Sequence, residues 1–308
     1  MLDLLATGYP SLDHIVPISH IPTIGQTALL GMALERATVT YGGCGTNVAV
    51  GLQKLGFHTG LALVLGDDRG GEDYRAEILR MGIDCRNVQT LIGEATSSSY
   101  LCRAPDGEMV NFFYPGAADA WQGRLALEGL DGVHWGLVTV GYAPYNRAFV
   151  EQLGAARIPL IWQMKGDVAA YPRAVVEQFM TASRIIFCNR FEAEYVCRAL
   201  GLAELRDAFA YGVEQIVLTL GGEGSLVMTP ERDEAVPVVP ASIVDTTGAG
   251  DAYTAGYLAG MWRGYTPAVC GRLGATAAAF AIEALGCQTN LPDWAALQRR
   301  YEDHFGAL

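Results

Sequence analysis

The chain has 308 residues, 51% of them hydrophobic, and a formal net charge of −12 at pH 7. A chain of this length and apolar content can bury a large core. Its acidic balance argues against nucleic acid as a partner. The seven cysteines include no Cys-x-x-Cys pair, and their odd number argues against a disulfide framework.

The N-terminal segment has no basic stretch before an apolar one, so no secretory signal peptide is expected. No uninterrupted apolar run approaches the roughly 18 residues that a membrane span requires. We therefore expect a cytoplasmic protein with reduced thiols and no membrane partner.

Short apolar runs alternate with amphipathic stretches along the chain. The predicted strands are Leu2–Thr7, Gly60–Leu65, Gly136–Val140, Pro159–Trp162, Arg184–Phe187 and Gln215–Leu218, and the clearest helices are residues 45–55 and Glu72–Met81. This alternation is typical of an α/β protein with a mainly parallel sheet and helices on both faces. Because no repeat or linker interrupts it, we predict a single domain over residues 1–308.

Two segments break this rhythm. Residues 12–41 are rich in proline, threonine and apolar residues without a helical period. Residues 97–115 predict a hairpin, with strands Ser98–Arg103 and Met109–Tyr114 on either side of the turn Pro105–Gly107. We expect these strands to form a small separate β-sheet.

The run Asp-Thr-Thr-Gly-Ala-Gly-Asp, residues 245–251, precedes an apolar segment. Its small residues Gly248, Ala249 and Gly250 let the backbone approach a ligand closely and direct N–H groups at it. If a helix begins there, its N-terminus adds about half a positive charge. The run therefore predicts an anion site for phosphoryl transfer, with Asp251 as the base that accepts a proton from an alcohol. The alternative is a glycine-rich turn capped by acids.

This run resembles the signature of the ribokinase-like (phosphofructokinase-B) family of carbohydrate and nucleoside kinases. Three other segments are similar to elements of that family and occur in its order: Gly42–Asn47, Asn189–Glu192 and Thr219–Gly224. The resemblance covers essentially the whole chain. It implies a ribokinase-like fold in which the two irregular segments form a lid over the sugar site, and such a lid limits ATP hydrolysis by excluding water.

The resemblance also implies roles on the phosphate side of the site. Asn189 and Glu192 would hold Mg²⁺ through water, although Asn followed by Glu three residues later is also a capping box, and both roles are compatible. Asp245 and Thr247 border a monovalent-cation (K⁺) site in many family members, or they only shape the turn.

Two further groups of residues match the family's ligand-binding positions. Thr219, Gly221 and Gly224 resemble its ATP-binding loop. The substrate side is matched by Asp13, Gly42, Gly43 and Asn47. A carboxylate accepts hydrogen bonds from vicinal hydroxyls and an Asn amide both donates and accepts, while bare glycine backbone lets a sugar approach. The alternatives are a loop acid for Asp13 and a helix-start cap for Asn47.

Three segments resemble the archaeal-type nucleoside kinase branch: residues 8–13, 111–117 and 283–292. The aromatic lid strand offers ring faces on which a purine can stack. One departure concerns residues 162–167, where that branch usually has an Asp-Pro-Gly-Gln-like stretch. This chain replaces a carboxylate with Gln163 and brings Lys165 near the expected active centre, which opens the alternative of an acidic or phosphorylated sugar.

We therefore predict an ATP- and Mg²⁺-dependent kinase that phosphorylates the 5′-hydroxyl of a ribonucleoside. A homodimer is compatible with this interpretation. The first alternative is a sugar kinase for a fructose-like or keto-deoxy sugar acid acceptor. The second is a non-catalytic nucleotide- or sugar-binding regulator, against which the intact Asp251 argues. A dinucleotide oxidoreductase is excluded, because no Gly-x-Gly-x-x-Gly follows the first strand.

Overall fold

The apolar runs of the sequence form strands in the computed structural model, which describes residues 1–308 except for the side chain of Val168. The strands are β1 (Leu2–Thr7), β2 (Ser11–Pro17), β3 (Thr38–Gly42), β4 (Thr59–Ala62), β5 (Val64–Gly66), β6 (Gln89–Leu91), β7 (Ser98–Arg103), β8 (Met109–Tyr114), β9 (Val133–Val138), β10 (Leu160–Gln163), β11 (Ser183–Asn189), β12 (Gln215–Thr219), β13 (Ser225–Met228) and β14 (Asp233–Val236).

The helices occupy the stretches between these strands. The α-helices are α1 (Cys44–Lys54), α2 (Arg69–Arg80), α3 (Ala117–Ala120), α4 (Ala143–Ala155), α5 (Arg173–Ala182), α6 (Arg190–Leu200), α7 (Ala249–Trp262), α8 (Pro267–Ala281) and α9 (Trp294–Phe305). Short 3-10 helices lie at Leu34–Arg36, Leu130–Gly132, Val168–Ala170, Leu205–Tyr211 and Gly221–Glu223.

The described residues form a large sheet with the strand order β14-β13-β12-β11-β10-β9-β1-β4. Neighbours from β12 to β4 run parallel, and β13 and β14 extend the sheet antiparallel. Successive side chains of a strand point to opposite faces of the sheet and enter different cores. Leu137 of β9 and Ile161 of β10 pack on one face, and their neighbours Val138 and Trp162 pack on the other. The predicted mainly parallel sheet with helices on both faces is confirmed.

A second sheet has the strand order β3-β2-β7-β8. Strands β7 and β8 pair antiparallel with Ser98 opposite Tyr114, so the predicted hairpin has the expected bounds. Strand β2 joins it in parallel to β7, and β3 closes the other edge. The outer strand β8 is largely exposed, with Phe112 60% and Tyr114 47% accessible to solvent. The predicted small separate sheet is therefore present.

Most predicted elements end within one or two residues of the observed bounds, and three differ by more. The prediction of one continuous strand over Gly60–Leu65 is wrong. Two strands lie there, because β4 belongs to the large sheet whereas β5 pairs with β6 in a two-stranded sheet. A continuous apolar run does not reveal that the chain changes its pairing partner. The helix predicted from Glu72 begins earlier, because the Asp68 side chain accepts a hydrogen bond from the Gly71 N–H and caps it. The strand predicted at Gly136–Val140 corresponds to β9, which begins and ends earlier in the chain, at Val133 and Val138.

Two expectations from composition concern cysteines and membranes. All seven cysteines are free thiols in this structure. Among the described residues, every helix is too short or too polar to cross a bilayer.

Glycines allow helices α1, α7 and α8 to pack closely. A Cβ atom at Gly51 of α1 would lie 2.8 Å from the Cβ of Ala255 in α7. A Cβ atom at Gly256 would lie 2.6 Å from the Leu273 carbonyl oxygen and 2.8 Å from the Cβ of Ala277 in α8. These contacts fix the position of α7, the helix that carries Asp251.

Replacing Gly256 with Ala should therefore lower the free energy of unfolding by about 1–3 kcal/mol, because the added methyl group overpacks the α7–α8 contact. The matched control is Gly154→Ala in α4, where an added Cβ meets nothing within 4 Å. This variant should be neutral or more stable by up to about 1 kcal/mol. Urea denaturation measures both, and a Gly256→Ala protein as stable as the wild type would contradict the packing argument.

Candidate active site

The candidate site lies at the edge of the large sheet where its parallel strands end. Gln163, Asn189 and Thr219 are the last residues of β10, β11 and β12. Ligands of open α/β sheets bind at this edge. Helix α1 begins after Gly43, and a hydrogen bond joins its Asn47 to the first turn of α7, so residues far apart in the sequence meet here.

Asp251 is buried in the first turn of α7, where it is 6% exposed. Its carboxylate accepts hydrogen bonds at both oxygens, from Asn47 Nδ2 at 2.7 Å and from Gln163 Nε2 at 2.5 Å. Burial raises the pKa of Asp251, and the charge of Lys165 together with these amide donors opposes the rise. One donor on each oxygen orients the carboxylate and leaves it able to accept a further proton donor.

Asn47 connects Asp251 to the C-terminal part of the chain. Its Oδ1 accepts a hydrogen bond from Gln288 Nε2 at 2.8 Å while its Nδ2 donates to Asp251. The sequence suggested a sugar contact for Asn47, but its carbonyl oxygen is already used within the protein. Gln288 lies in the segment that resembles nucleoside kinases, yet no motif identified it as a site residue.

The glycine loop before α7 is shaped by Asp245. One of its carboxylate oxygens accepts hydrogen bonds from the N–H and the hydroxyl of Thr247, and the other accepts one from the Gly286 N–H at 3.1 Å. Gly248 has φ 79°, in the left-handed region that favours glycine. Asp245 and Thr247 thus shape the turn, which is one of the two expected roles. The start of α7 supplies the free N–H groups of a helix N-terminus.

Asn189 and Glu192 form the capping box that the sequence allowed. The Glu192 N–H donates to Asn189 Oδ1 at 2.9 Å, and the Asn189 N–H donates to Glu192 Oε2 at 2.8 Å. Burial raises the pKa of Glu192. Among the described residues, no group of three or more His, Cys, Asp or Glu side chains is arranged to hold a metal. The second oxygen of Glu192 remains available to a metal-bound water, so the Mg²⁺ role stays a prediction.

Three adjacent spaces surround these residues. The central cavity, of about 290 Å³, is lined by residues of the β10, β11 and β12 ends and of the glycine loop, including Lys165, Asn189, Glu192, Gly248, Gly250 and Asp251. The small pocket, of about 140 Å³, is lined on the lid side by Tyr9, Asp13, Gly43, Asn47, Ser99 and Phe113 and also reaches Lys165 and Asp251. The apolar cavity, of about 590 Å³, lies beyond Gly250.

The small pocket contains the predicted substrate residues except Gly42. Asp13 is 7% exposed and accepts a hydrogen bond from Ser11 Oγ at 2.5 Å. Burial raises the pKa of Asp13 to about 6, and the Ser11 hydroxyl and the Lys165 charge oppose the rise. A Cβ atom at Gly42 would lie 2.1 Å from Asp13 Oδ2. Gly42 therefore makes room for the Asp13 carboxylate, whereas the sequence suggested that it makes room for a sugar.

The apolar cavity contains all three residues of the predicted ATP loop, Thr219, Gly221 and Gly224. Its walls also include apolar side chains that no motif identified: Val238, Val239, Ile243, Ala275, Ala278, Ala279 and Ile282. Because it adjoins Asn189 and the start of α7, a planar aromatic group can occupy it while attached phosphates reach the glycine loop.

Gln163 and Lys165 were not among the predicted site residues, although they are the departure from the nucleoside kinase pattern. Gln163 contacts Asp251 directly, and Lys165 lines both the small pocket and the central cavity. The sequence feature that could have identified them as site residues is their departure from the family pattern just after a predicted strand.

Comparisons with known proteins relate the chain to a family of kinases. A family model described as pfkB family carbohydrate kinase matches residues 29–294. A nucleoside kinase of Methanothermobacter thermautotrophicus is 29% identical over 311 residues, which cover 99% of this chain and 97% of that protein. Similarity at this level extends over both full chains.

Solved structures share the architecture. The nucleoside kinase of Methanocaldococcus jannaschii, an archaeal member of the ribokinase family, has a TM-score of 0.85 at 26% identity, covering 98% of this chain and 99% of the other. The nucleoside kinase of Burkholderia thailandensis in complex with inosine has a TM-score of 0.86 at 24% identity, covering 98% of each chain. The expected ribokinase-like fold is confirmed.

The Gln163–Asp251 hydrogen bond yields a prediction about stability. Gln163→Glu would place a second carboxyl group 2.5 Å from Asp251, and two carboxylates at that distance cannot both ionise. We expect a loss of about 1–3 kcal/mol in the free energy of unfolding at pH 8. The loss should shrink as the pH falls through the raised pKa of the pair, because one proton then lets the two groups share a hydrogen bond.

Urea denaturation at pH 8 and pH 5 measures this effect. The control is Gln122→Glu, which adds the same charge at an exposed position. An equal loss at both pH values would point to steric misfit and contradict the electrostatic explanation.

Proposed function

The chain belongs to the pfkB family of carbohydrate kinases, ATP-dependent enzymes that phosphorylate an alcohol group, and we propose that its acceptor is the 5′-hydroxyl of a ribonucleoside. The observation that carries this proposal is the composition of the small pocket. It combines an aromatic pair, Tyr9 and Phe113 with ring centroids 4.9 Å apart, with the carboxylates of Asp13 and Asp251. Aromatic rings suit a base, and a carboxylate suits ribose hydroxyls.

The relatives support the same acceptor. The Methanothermobacter and Methanocaldococcus proteins are named nucleoside kinases, and the Burkholderia nucleoside kinase has a solved structure in complex with inosine. The similarity to the two archaeal proteins covers nearly the whole length of this chain.

In the proposed reaction, Asp251 accepts the proton of the acceptor hydroxyl. The hydroxyl oxygen then forms a bond to the γ-phosphorus of ATP while the bond to the ADP oxygen breaks. The buried carboxylate is a stronger base than an exposed one, because burial raises its pKa. The N–H groups at the Gly248–Gly250 loop stabilise the negative charge that develops on the phosphoryl oxygens.

ATP would lie with its base in the apolar cavity and its phosphates at the glycine loop. Asn189 and Glu192 would hold Mg²⁺ through water, and the ion would neutralise charge on the phosphate oxygens. A K⁺ site at Asp245 and Thr247 is a separate proposal. Both carboxylate oxygens of Asp245 already accept hydrogen bonds within the loop, so a K⁺ ion would have to share these oxygens with the loop.

A sugar acceptor is the second candidate. The observation in its favour is the ammonium of Lys165 in the small pocket, which could pair with an acidic or phosphorylated sugar. Three carboxylates line the same pocket, those of Asp13, Asp167 and Asp251, so its balance of charge disfavours an anionic acceptor. A regulator without turnover would have no use for the buried base.

Asp251→Asn should bind ATP at least as tightly as the wild type but lose about two to four orders of magnitude in kcat, because an amide cannot accept the hydroxyl proton. Coupled ADP-release kinetics and calorimetric titration of a nucleotide measure the two effects. A thermal unfolding curve controls for stability, since the new amide faces two amide donors. Turnover close to that of the wild type would remove Asp251 from the mechanism.

The acceptor is tested with kcat/KM for adenosine, inosine, guanosine and cytidine, their 2′-deoxy analogues, ribose, fructose and keto-deoxygluconate. Ribonucleosides should exceed deoxyribonucleosides in kcat/KM by about tenfold or more, because a missing hydroxyl removes a hydrogen bond to the buried Asp13 carboxylate. Turnover of a sugar without turnover of any nucleoside would contradict the proposed acceptor.

The lid strand provides matched variants for the same panel. Phe113 lines the small pocket, whereas its neighbour Phe112 is 60% exposed and does not. Phe113→Leu should raise KM for nucleosides and leave ribose unaffected, while Phe112→Leu should change neither. Equal effects of both variants would show that the lid strand acts through its stability and not through contact with a base.

A further inference from the structure

Lys165 is one of only two lysines in the chain, which has 19 arginines. The other lysine, Lys54, is used structurally, because its ammonium donates to the carbonyl oxygens of Gln288 and Leu291 at 3.3 Å. Within the described part of the chain, Lys165 forms no salt bridge within 4.0 Å. A free ammonium thus stands beside buried carboxylates.

The position of Lys165 relative to the two spaces is specific. The residues that line both the small pocket and the central cavity are Cys44, Lys165, Thr247, Gly248 and Asp251. This shared boundary therefore contains the proposed base, the first glycine of the anion-binding loop and the ammonium of Lys165. A group that moves from a donor in the central cavity to an acceptor in the small pocket must cross it.

The charges around this boundary are otherwise negative. Among the described residues that line the two spaces, Lys165 is the one cationic side chain, whereas Asp13, Asp167, Glu192 and Asp251 are acidic. The pKa of Lys165 is raised by its interaction with Cys44 and with the carboxylates of Asp251 and Glu192, so the ammonium stays charged at neutral pH. A phosphoryl group that approaches Asp251 needs such a cation, because two negative groups repel each other.

We propose that the ammonium of Lys165 contacts the phosphoryl group during its transfer and neutralises the negative charge on its oxygens. No bond to Lys165 forms. The bond from phosphorus to ADP breaks, the bond to the acceptor oxygen forms, and the proton goes to Asp251. The proposal rests on the kinase activity of this site and is independent of which alcohol is the acceptor. It makes Lys165 a catalytic residue, as distinct from a residue that selects an anionic acceptor.

The kinetic test compares Lys165→Met with Lys165→Arg. The Met variant should lose about 100-fold or more in kcat, the size of effect seen when one donor to a developing oxyanion is removed, while acceptor KM changes little. The Arg variant keeps the charge and should recover part of the rate. Added methylammonium should partly rescue Lys165→Ala, and tetramethylammonium, which cannot donate a hydrogen bond, should not. A rise in acceptor KM alone would overturn the proposal.

A second readout does not depend on turnover. Protein labelled with ¹³C at lysine Cε should give two side-chain signals, and Lys54→Arg leaves only that of Lys165. This signal should shift on addition of Mg²⁺ with a non-hydrolysable ATP analogue, or with ADP and aluminium fluoride, but not with acceptor alone. A shift with acceptor alone, or no shift when calorimetry shows the nucleotide bound, would overturn the proposal. If no nucleoside is turned over, the proposed acceptor fails while this measurement still tests Lys165.

Discussion

The site depends on one buried carboxylate and the two amides that hold it. A carboxylate inside a protein is costly unless hydrogen bonds replace the water it loses. Asp251 obtains these bonds from Asn47, 204 residues away in the sequence, and from Gln163, 88 residues away. The hydrogen bonds form only when α1, the end of β10 and the start of α7 meet at one edge of the sheet. The proposed chemistry thus requires the complete fold.

The fold also separates two kinds of ligand environment on either side of this carboxylate. The apolar cavity is built from the antiparallel end of the large sheet, the segment that follows it and α8, so its walls suit a flat base. The small pocket lies under the second sheet and is rich in hydroxyl and carboxylate groups. The glycine loop stands between them. Because the loop and the base belong to the same helix start, the two spaces are aligned for transfer between them.

Local patterns predicted the elements well where local chemistry determines them. The hairpin had the expected bounds because Pro105, Asp106 and Gly107 specify its turn, and alternating apolar runs identified the parallel strands. The prediction of one strand over Gly60–Leu65 failed because no local feature marks its end. The residues are apolar on both sides of the point where the chain changes its pairing partner from β1 to β6. The start of α2 was missed because the cap at Asp68 precedes the amphipathic pattern.

The sequence by itself determined the family resemblance, the α/β architecture and the glycine loop with its acid, because these depend on residue types at short spacings. Only the tertiary structure decided how side chains share the site. In the folded protein, Asn47 is hydrogen-bonded to Asp251 and Gln288, and the Asp13 carboxylate occupies the space beside Gly42. Lys165 lies at the boundary of two cavities. The physical reason is that such contacts join residues far apart in the chain, and their distances follow from the packing of helices and strands, which no local spacing encodes.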